Sequence, residues 1–443
     1  MTSFFHSYDL RGVYPDEIDE EVAEKVGKAY GTFIQAEKVL IGRDGRRHGQ
    51  KITENFIDGI NSTGTDVVYA GMVPSPVIYF AQVKEGFRSA AVVTASHNPP
   101  EYTGFKFNRE GALAMSRDGG MAEIQSIYES ESFDVGTGME DDTDVLQSYI
   151  EAVKHKIGEL DLDIAINCGN GVTGVIAGKL FEELGCTVRT VNEEVDGEFP
   201  NHLPDPTNSE AQQELEEAMT GKEDLGVIFD GDGDRAGFIV PERGYIGEDE
   251  VIALFAEECL RREEGTVVYD LRASKLVPEK IKEYGGEPEE SRVGHTFISE
   301  RIHEGDDVSF AGELSGHYYF PAFDFPWDDG LFAAALMAKI ASEQDLEQKL
   351  GDFPEYPVSP EVNLDCANEN KEEVMEKVAQ RYSDYETSTM DGVKIQLNGG
   401  WALVRPSSTE PKIRLRCEAD TEERLDEILS MVEKDVREII DKV

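Results

Sequence analysis

The sequence has few cysteines and no long apolar run. Its five cysteines are scattered without a CxxC pair, and their number is odd. This usage favours reduced thiols in a cytosol and argues against a disulfide framework or a cysteine zinc site. No run approaches the roughly 20 apolar residues of a membrane span. The N-terminal residues lack the basic and then apolar pattern of a secretory signal. We therefore expect a cytoplasmic protein.

Basic residues are also scarce. Lys and Arg total 42 against 91 Asp and Glu, which gives a net charge of −49. Such a charge repels phosphates at long range, so we expect neither nucleic acid nor a membrane as partner. The many apolar runs contradict a disordered acidic chain, and repeated calcium-binding loops are absent from the sequence. The remaining interpretation is a halophile's surface, which high salt screens and which should lose structure when salt is removed.

The order of apolar and polar segments predicts several α/β units. A chain of 443 residues is too long for one core, so we expect two to four domains. Apolar segments at 39–42, 66–71 and 89–96 are typical of strands, and a helical pattern lies between the first two. The recurrence of strand, polar loop and helix by itself predicts purely parallel sheets, with functional loops at the carboxyl ends of strands.

The last part of the chain has a different pattern. Beyond a proline-rich stretch, helix 370–384 is followed by a predicted hairpin turned at 398–400 and a strand at 412–419. This indicates a small α+β domain. Residues 129–144 have the least ordered composition and are the expected first linker. The predicted domain boundaries are 1–143, 144–246, 247–358 and 359–443.

A cluster of aspartates follows the apolar run Leu225–Phe229. Asp230, Asp232 and Asp234 alternate with glycines in FDGDGDR. Glycines allow the backbone to curl until the three carboxylates converge, and a cation such as Mg²⁺ or Ca²⁺ would relieve their repulsion. An EF-hand is excluded because its twelfth position holds Pro241 in place of glutamate. A solvated acidic turn is the alternative to a metal site.

Two further loops carry polar side chains suited to a sugar phosphate. In GELSGHYYF, Glu313, Ser315 and His317 alternate, so they can point to one side of an extended loop. In RPSSTEPKIR, an arginine and three hydroxyls fall within five residues, an inventory that fits a phosphate dianion. Taken alone, an ordinary polar loop and a proline-bounded turn are the respective alternatives. The isolated cations and imidazoles of YDLRG, GFKFN, DLRAS and VGHTF are singly typical of a surface.

The sequence TASHNP places Ser96 directly after an apolar run. Three interpretations compete: an ordinary turn, a hydrolase nucleophile, and a serine that carries a phosphoryl group. The GxSxG motif of a hydrolase is missing. His97 is expected to point away from Ser96, because neighbouring side chains on an extended segment diverge. A phosphoserine would need a cation beside it, which the three-aspartate loop could bind.

These four motifs together resemble the α-D-phosphohexomutase superfamily. TASHNP, DGDGDR, GELSGH and RPSSTEP occur in the family's order across essentially the whole chain. The third motif is most similar to the phosphomannomutase/phosphoglucomutase branch, with phosphoglucosamine mutase as the second candidate. The resemblance implies a four-domain fold around a central cleft: three α/β domains with mixed sheets and a smaller C-terminal α+β domain.

The resemblance also implies roles for individual residues. Ser96 would carry the phosphoryl group and bind Mg²⁺, one per chain, together with Asp230, Asp232 and Asp234. Further residues would line the cleft or bind substrate. The implied cleft residues are Arg11, Lys106, Arg235 and His295, and the implied substrate-binding residues are Glu313, Ser315, His317, Arg405, Ser407, Ser408, Thr409 and Arg414. Arg272 stands where some members have lysine, which puts its substrate contact in doubt.

The implied reaction interconverts hexose 1-phosphate and hexose 6-phosphate through a hexose 1,6-bisphosphate. Lys106 and His295 are the candidate general bases. A hinged fourth domain and a monomer or homodimer are expected, with small sugar phosphates as partners. A metal-dependent sugar phosphatase and an inactive sugar-phosphate-binding protein are the alternatives from other classes. The sequence does not distinguish mannose from glucose.

Overall fold

The structure is a computed structural model, and it describes residues 4–6, 8–407 and 410–443. Its strands form separate sheets that follow one another along the chain. Ser408 and Thr409, two of the expected substrate-binding residues, lie outside the described residues. Within the described ranges, no helix combines the length and apolar character needed to cross a membrane.

The first sheet has the strand order β1-β5-β4-β2-β3-β7, and β6 pairs with β5. Alternate residues of its strands face opposite sides: Leu40 and Val92 pack with α3, whereas Ile41 and Val93 pack with α1 and α2. Its strands are β1 Leu10–Val13, β2 Lys38–Arg43, β3 Asp66–Met72, β4 Ala90–Val93, β5 Tyr102–Arg109, β6 Leu113–Ala114 and β7 Glu140–Asp142. Its helices are α1 Glu20–Ile34, α2 Gly49–Asn61, α3 Ser75–Glu85 and α4 Ala122–Ser130.

The stretch 129–144 does not form the expected free linker. It ends in β7, which pairs in parallel with β3 at the edge of the first sheet. Upstream of β7, the backbone N–H groups of Gly136 and Gly138 donate to the carbonyls of Ser62 and Asn61. These backbone bonds explain why a polar, glycine-rich segment is held against the first domain.

The second and third sheets repeat one topology. Their orders are β12-β11-β10-β8-β9 and β14-β13-β15-β16-β17. The strands are β8 Asp163–Asn167, β9 Thr187–Val191, β10 Leu225–Phe229, β11 Ala236–Val240, β12 Gly244–Tyr245, β13 Thr266–Asp270, β14 Glu287–Ser291, β15 Val308–Gly312, β16 Tyr318–Phe320 and β17 Phe325–Asp328. The helices are α5 Leu146–Ile157, α6 Ala177–Leu184, α7 Ser209–Ala218, α8 Glu248–Arg262, α9 Leu276–Glu283, α10 His295–Glu304, α11 Gly330–Glu343 and α12 Leu346–Gly351.

The prediction of purely parallel sheets is wrong. In each of these three sheets, parallel pairs such as β2–β4, β8–β10 and β13–β15 adjoin antiparallel pairs such as β4–β5, β10–β11 and β15–β16. The connections explain the mixture, because a parallel neighbour needs a crossover of a dozen or more residues. Only residues 230–235 separate β10 from β11. The mixed sheets that the resemblance implied are confirmed.

The fourth sheet is antiparallel throughout, with the order β18-β22-β21-β20-β19. The expected hairpin is confirmed with a shorter turn, because Gly400 already pairs with Leu397. The strands are β18 Val362–Asp365, β19 Thr387–Ser388, β20 Val393–Leu397, β21 Gly400–Pro406 and β22 Lys412–Ala419, and the helices are α13 Lys371–Arg381 and α14 Glu422–Ile440. Single helical turns elsewhere in the chain are Glu110–Ala112, Arg117–Met121, Val172–Val175, Pro321–Phe323 and Asn368–Asn370.

Candidate active site

Ser96 lies two residues beyond Thr94, in the loop that follows β4. It is 1% exposed. Its φ of 49° is in the left-handed region, which a residue with a Cβ rarely adopts. The backbone N–H of Ser96 donates to Thr94 Oγ1 (2.9 Å), and its hydroxyl donates to Asp230 Oδ2 (2.8 Å). A strained serine therefore presents its hydroxyl to the aspartate loop.

The three aspartates of the second domain converge as expected. Asp230, Asp232 and Asp234 are buried, and one carboxylate oxygen from each lies within 4.8 Å of the others. Gly233 has a φ of 81°, which lets the loop curl after β10. Its backbone N–H donates to Asp230 Oδ1 (2.8 Å). The loop thus holds its carboxylates together at the carboxyl end of a parallel strand.

The metal loop and the serine loop are in direct contact. A Cβ at Gly231 would collide with the carbonyl oxygen of Ser96. Glycine at this position therefore lets the aspartates approach the serine from the next domain. The hydrogen bond between Ser96 and Asp230 joins the same two loops, although these residues are 134 positions apart in the chain.

Lys106 provides a positive charge inside the carboxylate cluster. Its Nζ donates to Asp232 Oδ2 (2.7 Å) and also to Asp234 Oδ2. Burial opposes its charge, but Asp232 and Asp234 outweigh burial and hold the pKa of Lys106 well above its usual value. Burial, followed by the two neighbouring carboxylates, raises the pKa of Asp230. One lysine therefore does not neutralise the cluster.

The cluster fits a divalent cation. Among the described residues, the buried Asp232 Oδ1 has no hydrogen-bond partner, and the buried Asp234 Oδ1 has none while His317 is neutral. Orphaned buried carboxylate oxygens are costly unless a proton donor or a cation meets them. Carboxylate and hydroxyl oxygens are the ligands that Mg²⁺ prefers. The donor set is therefore that of a hard metal ion.

The expectation for His97 is wrong. Its Nδ1 lies 3.2 Å from Ser96 Oγ, because the left-handed φ of Ser96 replaces the extended geometry that would separate the two side chains. The charge of Arg235, then burial and the charge of Arg11, lower the pKa of His97 to about 2. The serine hydrogen goes to Asp230, so this contact needs the proton on Nδ1. His97 is a neutral donor and not the base of a hydrolase.

Glu313, Ser315 and His317 come together in the loop between β15 and β16. Glu313 Oε2 and Ser315 Oγ each lie 3.0 Å from His317 Nδ1. Gly316, with a φ of 87°, makes the loop a tight turn rather than the expected extended segment. The backbone N–H of Gly294 donates to Glu313 Oε1 (3.0 Å), which fixes the carboxylate beside the start of α10.

Arg235 joins the metal loop to this third-domain loop. Its Nε lies 3.1 Å from His317 Nε2 and donates to it when the ring is neutral. Burial and the charge of Arg235 oppose a protonated ring, but Asp234 and Glu313 outweigh them and raise the pKa of His317 to about 9. A protonated ring turns its Nε2–H toward Asp234 Oδ1, 3.5 Å away, in place of accepting from Arg235. By raising the pKa, Asp234 and Glu313 favour the protonated ring and therefore a contact of Nε2 with Asp234 over one with Arg235.

A cavity of about 620 Å³ lies between the first three domains. The expected cleft residues Arg11, Lys106, Arg235 and His295 line it together with Ser96 and His317. The sequence did not point to several other lining residues, although three of them, Tyr8 and Asp9 of YDLRG and Asn98 of TASHNP, stand inside the motifs quoted above. Arg117 lies outside those motifs. Asn98 accepts a hydrogen bond from Arg11, which orients that guanidinium.

None of the fourth-domain residues that the structure describes lines this cavity. Arg405 Nη2 donates to Asp391 Oδ2 (2.6 Å), and the same oxygen accepts from the N–H of Val293 in the third domain (3.3 Å). Ser407 Oγ accepts from the N–H of Glu410 (3.2 Å), and Arg414 contacts the Glu410 side chain (3.2 Å). The described part of the phosphate loop is therefore held by local carboxylate and backbone contacts.

The contacts of Arg272 agree with the doubt that this residue binds substrate. Its Nε and Nη2 donate to Asp270 (3.0 and 2.6 Å), and Asp270 Oδ2 also accepts from the N–H of Leu314 (2.9 Å). This arginine is paired within the third domain and supports the loop that contains Glu313.

Comparison with known protein families covers nearly the whole chain. Four domain profiles of phosphoglucomutase/phosphomannomutase match: the α/β/α domains I, II and III at residues 2–135, 147–244 and 247–356, and the C-terminal domain at 361–435. The chain belongs to the phosphoglucomutase/phosphomannomutase family. The expected superfamily and its four-domain architecture are thereby confirmed.

The names of similar proteins differ in the sugar phosphate that they specify. A phosphomannomutase/phosphoglucomutase from Pseudomonas aeruginosa is 35% identical, covering 99% of this chain and 96% of the relative. A probable phosphoglucosamine mutase from Methanopyrus kandleri is 33% identical over 99% of this chain and 100% of its own. A crystal structure of a family member from Burkholderia thailandensis superposes with a TM-score of 0.91 at 32% identity, covering 100% of this chain and 98% of the other.

Proposed function

We propose that this protein is a phosphohexomutase that interconverts hexose 1-phosphates and hexose 6-phosphates, with mannose and glucose as the sugars. The observation that carries the proposal is the 2.8 Å contact between Ser96 Oγ and Asp230 Oδ2 inside a buried cluster of carboxylates. A hydroxyl in that position can accept a phosphoryl group whose charge a cation offsets. We further propose a cytoplasmic protein that acts on small sugar phosphates as a monomer or homodimer.

Ser96, Asp230, Asp232 and Asp234 would hold one Mg²⁺ per chain, which when bound supplies the positive charge that a migrating phosphoryl group needs. Phosphorylated Ser96 transfers its phosphoryl group to O6 of a hexose 1-phosphate, so the Oγ–P bond breaks and an O6–P bond forms. The hexose 1,6-bisphosphate reorients in the cleft. Its O1–P bond then breaks as the phosphoryl group returns to Ser96.

Cleft residues have defined tasks in this scheme. Arg235 offsets the charge of the migrating group, and Glu313, Ser315 and His317 bind sugar hydroxyls. Arg405, Ser407 and Arg414 bind the phosphate that does not react, and we assign Ser408 and Thr409 of the same loop to that task. Arg11 lines the cavity on the serine side, where it can position either phosphate. The fourth domain must close over the cavity for its loop to reach the substrate.

The proton of the sugar hydroxyl must go to a base, and Lys106 and His295 are the candidates. The Lys106 ammonium is bonded to two carboxylates, which favours its charged form and a role as a cation. His295 lines the cavity with Nδ1 at 3.5 Å from Asp328 Oδ2. If Nδ1 carries the ring proton, it faces Asp328 Oδ2 as acceptor, and Nε2 is then the nitrogen that can take the proton of the sugar hydroxyl. These contacts favour His295 as the base.

The proposal is tested by incubating the protein with mannose 1-phosphate, glucose 1-phosphate and glucosamine 1-phosphate in separate reactions. Each reaction contains Mg²⁺ and a trace of the corresponding hexose 1,6-bisphosphate. We expect 6-phosphates of mannose and glucose without release of inorganic phosphate. A reaction confined to glucosamine 1-phosphate would support the function named for the Methanopyrus relative. Release of inorganic phosphate would indicate a phosphatase, and no reaction would indicate a binding protein.

A further inference from the structure

Arg46 is a buried arginine behind the serine loop, in the turn that follows β2. It is 2% exposed, and Nε donates to Asp44 Oδ2 (3.1 Å). A buried guanidinium needs partners for its five N–H groups, because an unpaired buried charge is strongly destabilising. The contacts of Arg46 therefore show what this side chain is built to hold.

The remaining four N–H groups of Arg46 all meet backbone carbonyls of the serine loop. Nη2 donates to the carbonyls of Ser96 (2.7 Å) and Asn98 (2.6 Å). Nη1 donates to those of Pro99 (2.7 Å) and Tyr102 (3.1 Å). Much of this segment lies outside any strand or helix, so Arg46 replaces the partners that regular secondary structure would supply.

The strained backbone of Ser96 makes this support consequential. A left-handed φ at a residue other than glycine persists only where the surroundings fix it. The carbonyl of Ser96 is held by Arg46 on one side and contacted by Gly231 of the metal loop on the other. A shift of this carbonyl would change the direction of the Ser96 side chain and its 2.8 Å contact with Asp230.

The second domain also contacts Arg46 directly. The guanidinium carbon lies 5.2 Å from the centre of the Phe199 ring. A Cβ at Gly197 would approach within 2.7 Å of the Arg46 backbone. The loop between β9 and α7 of the second domain, which contains Gly197 and Phe199, therefore packs on the same arginine that holds the serine loop.

We propose that Arg46 is a positioning residue for Ser96. Its planar fork ties four carbonyls of the serine loop, so the hydroxyl keeps one direction toward Asp230 and the migrating phosphoryl group in both half-reactions. Lysine at this position keeps the charge but offers three donors from a single nitrogen, which cannot meet the four carbonyls and Asp44 together. This inference rests on the proposed mutase function.

The test compares Arg46→Lys with Arg301→Lys. Arg301 of α10 is also bonded through several N–H groups, but its partners are Glu289 and Asp307 of the third domain and not the serine loop. For Arg46→Lys we expect kcat on glucose 1-phosphate to fall about 100-fold, with KM within about 3-fold, because misplacing a reacting group by about 1 Å has that effect. Amide hydrogen exchange should rise in peptides covering residues 96–102. Arg301→Lys should keep both the kcat and the exchange of those peptides.

Unchanged kcat and unchanged exchange at 96–102 in Arg46→Lys would overturn the inference. If that variant does not fold, Phe199→Leu loosens the guanidinium without removing a hydrogen bond. A fall in kcat of about 3- to 10-fold with raised exchange at 96–102 is then expected, and no change in either would overturn the proposal. Absence of mutase activity in the unaltered protein would refute the proposed function instead, while the exchange measurement would still report on Arg46.

Discussion

Ser75 and Asp232 are joined by two hydrogen bonds across a domain boundary. The Ser75 N–H donates to the carbonyl of Asp232 (2.9 Å), and its hydroxyl donates to Asp232 Oδ2 (2.7 Å). Ser75 is the first residue of α3 and is buried. The first domain therefore orients a carboxylate of the second, through a contact that also leaves Asp232 Oδ1 for a cation.

This contact predicts weaker metal binding in Ser75→Ala. Loss of a bond that orients a ligand typically lowers metal affinity about 10- to 100-fold, and we expect a loss in that range. Titration calorimetry with Mg²⁺ measures it without reference to activity. Ser309→Ala is the matched control, since Ser309 is a buried serine whose hydroxyl has no partner among the described residues. Equal Mg²⁺ affinity in the two variants would refute the orienting role.

Arg405 is expected to contribute to substrate binding through charge. Its guanidinium is bonded to Asp391, and this ion pair positions it near the third domain before a phosphate arrives. A hydrogen bond to a charged group is worth about 1.5–3 kcal/mol. Arg405→Ala should therefore raise KM for glucose 1-phosphate about 10- to 100-fold. Arg424→Ala, a change at a surface arginine of the same domain bonded to Asn398 and Glu427, should leave KM unchanged.

The contacts of Glu223 predict how the stability of the protein depends on pH. Burial of this carboxylate opposes its charged form. Hydrogen bonds from Arg189 Nε (2.8 Å) and the N–H of Thr220 (2.7 Å) outweigh burial and lower the pKa of Glu223 to about 2. A lowered folded-state pKa means that the stabilisation is complete above the unfolded value of about 4.5 and is lost as the pH falls through about 2.

Glu223→Gln should accordingly lower the free energy of unfolding by about 1–2 kcal/mol at pH 7. The difference from the unaltered protein should shrink as the pH falls from about 4.5 to about 2. Urea denaturation at fixed high salt measures both. Glu216→Gln on the exposed side of α7 is the control and should show no such difference. A deficit that grows toward acid would contradict the assignment.

The acidic surface predicts stabilisation by salt. With a net charge of −49, the folded chain repels itself unless salt screens it. Strand β7 is an example: burial, and then Asp142, Asp58 and Glu54, raise the pKa of Glu140. The melting temperature should rise from millimolar to molar KCl. An unchanged melting temperature would count against the halophile interpretation.

Two variants test whether local repulsion between carboxylates, and not net charge alone, causes the salt effect. Glu140→Gln removes one charge from the edge strand β7 and should raise the melting temperature at low salt more than at high salt. Glu131→Gln removes a carboxylate that pairs with Lys25 (2.6 Å), so it should not stabilise at low salt. Equal effects of the two substitutions would show that net charge alone, and not local repulsion, governs the dependence.

Much of the site was predictable because its residues stand in short motifs after strands. The convergence of Asp230, Asp232 and Asp234 follows from the intervening glycines and the buried strand before them. The antiparallel return of β11 was also predictable, since the metal loop is too short for a crossover. What was missed depends on tertiary packing. Arg46 in a turn has the sequence character of a surface residue, and only the serine loop folding over it makes it buried.

The central claim is that Ser96 carries a phosphoryl group during turnover. Intact-mass measurement and peptide mapping, before and after incubation with glucose 1,6-bisphosphate and Mg²⁺, test it directly, with Ser96→Ala as control. We predict the added mass of one phosphoryl group on the peptide that contains Ser96, its absence from the variant, and a fall in kcat of at least about 1,000-fold in that variant. Turnover by the unaltered protein with no phosphate at Ser96 under any condition, or full activity of Ser96→Ala, would contradict the account.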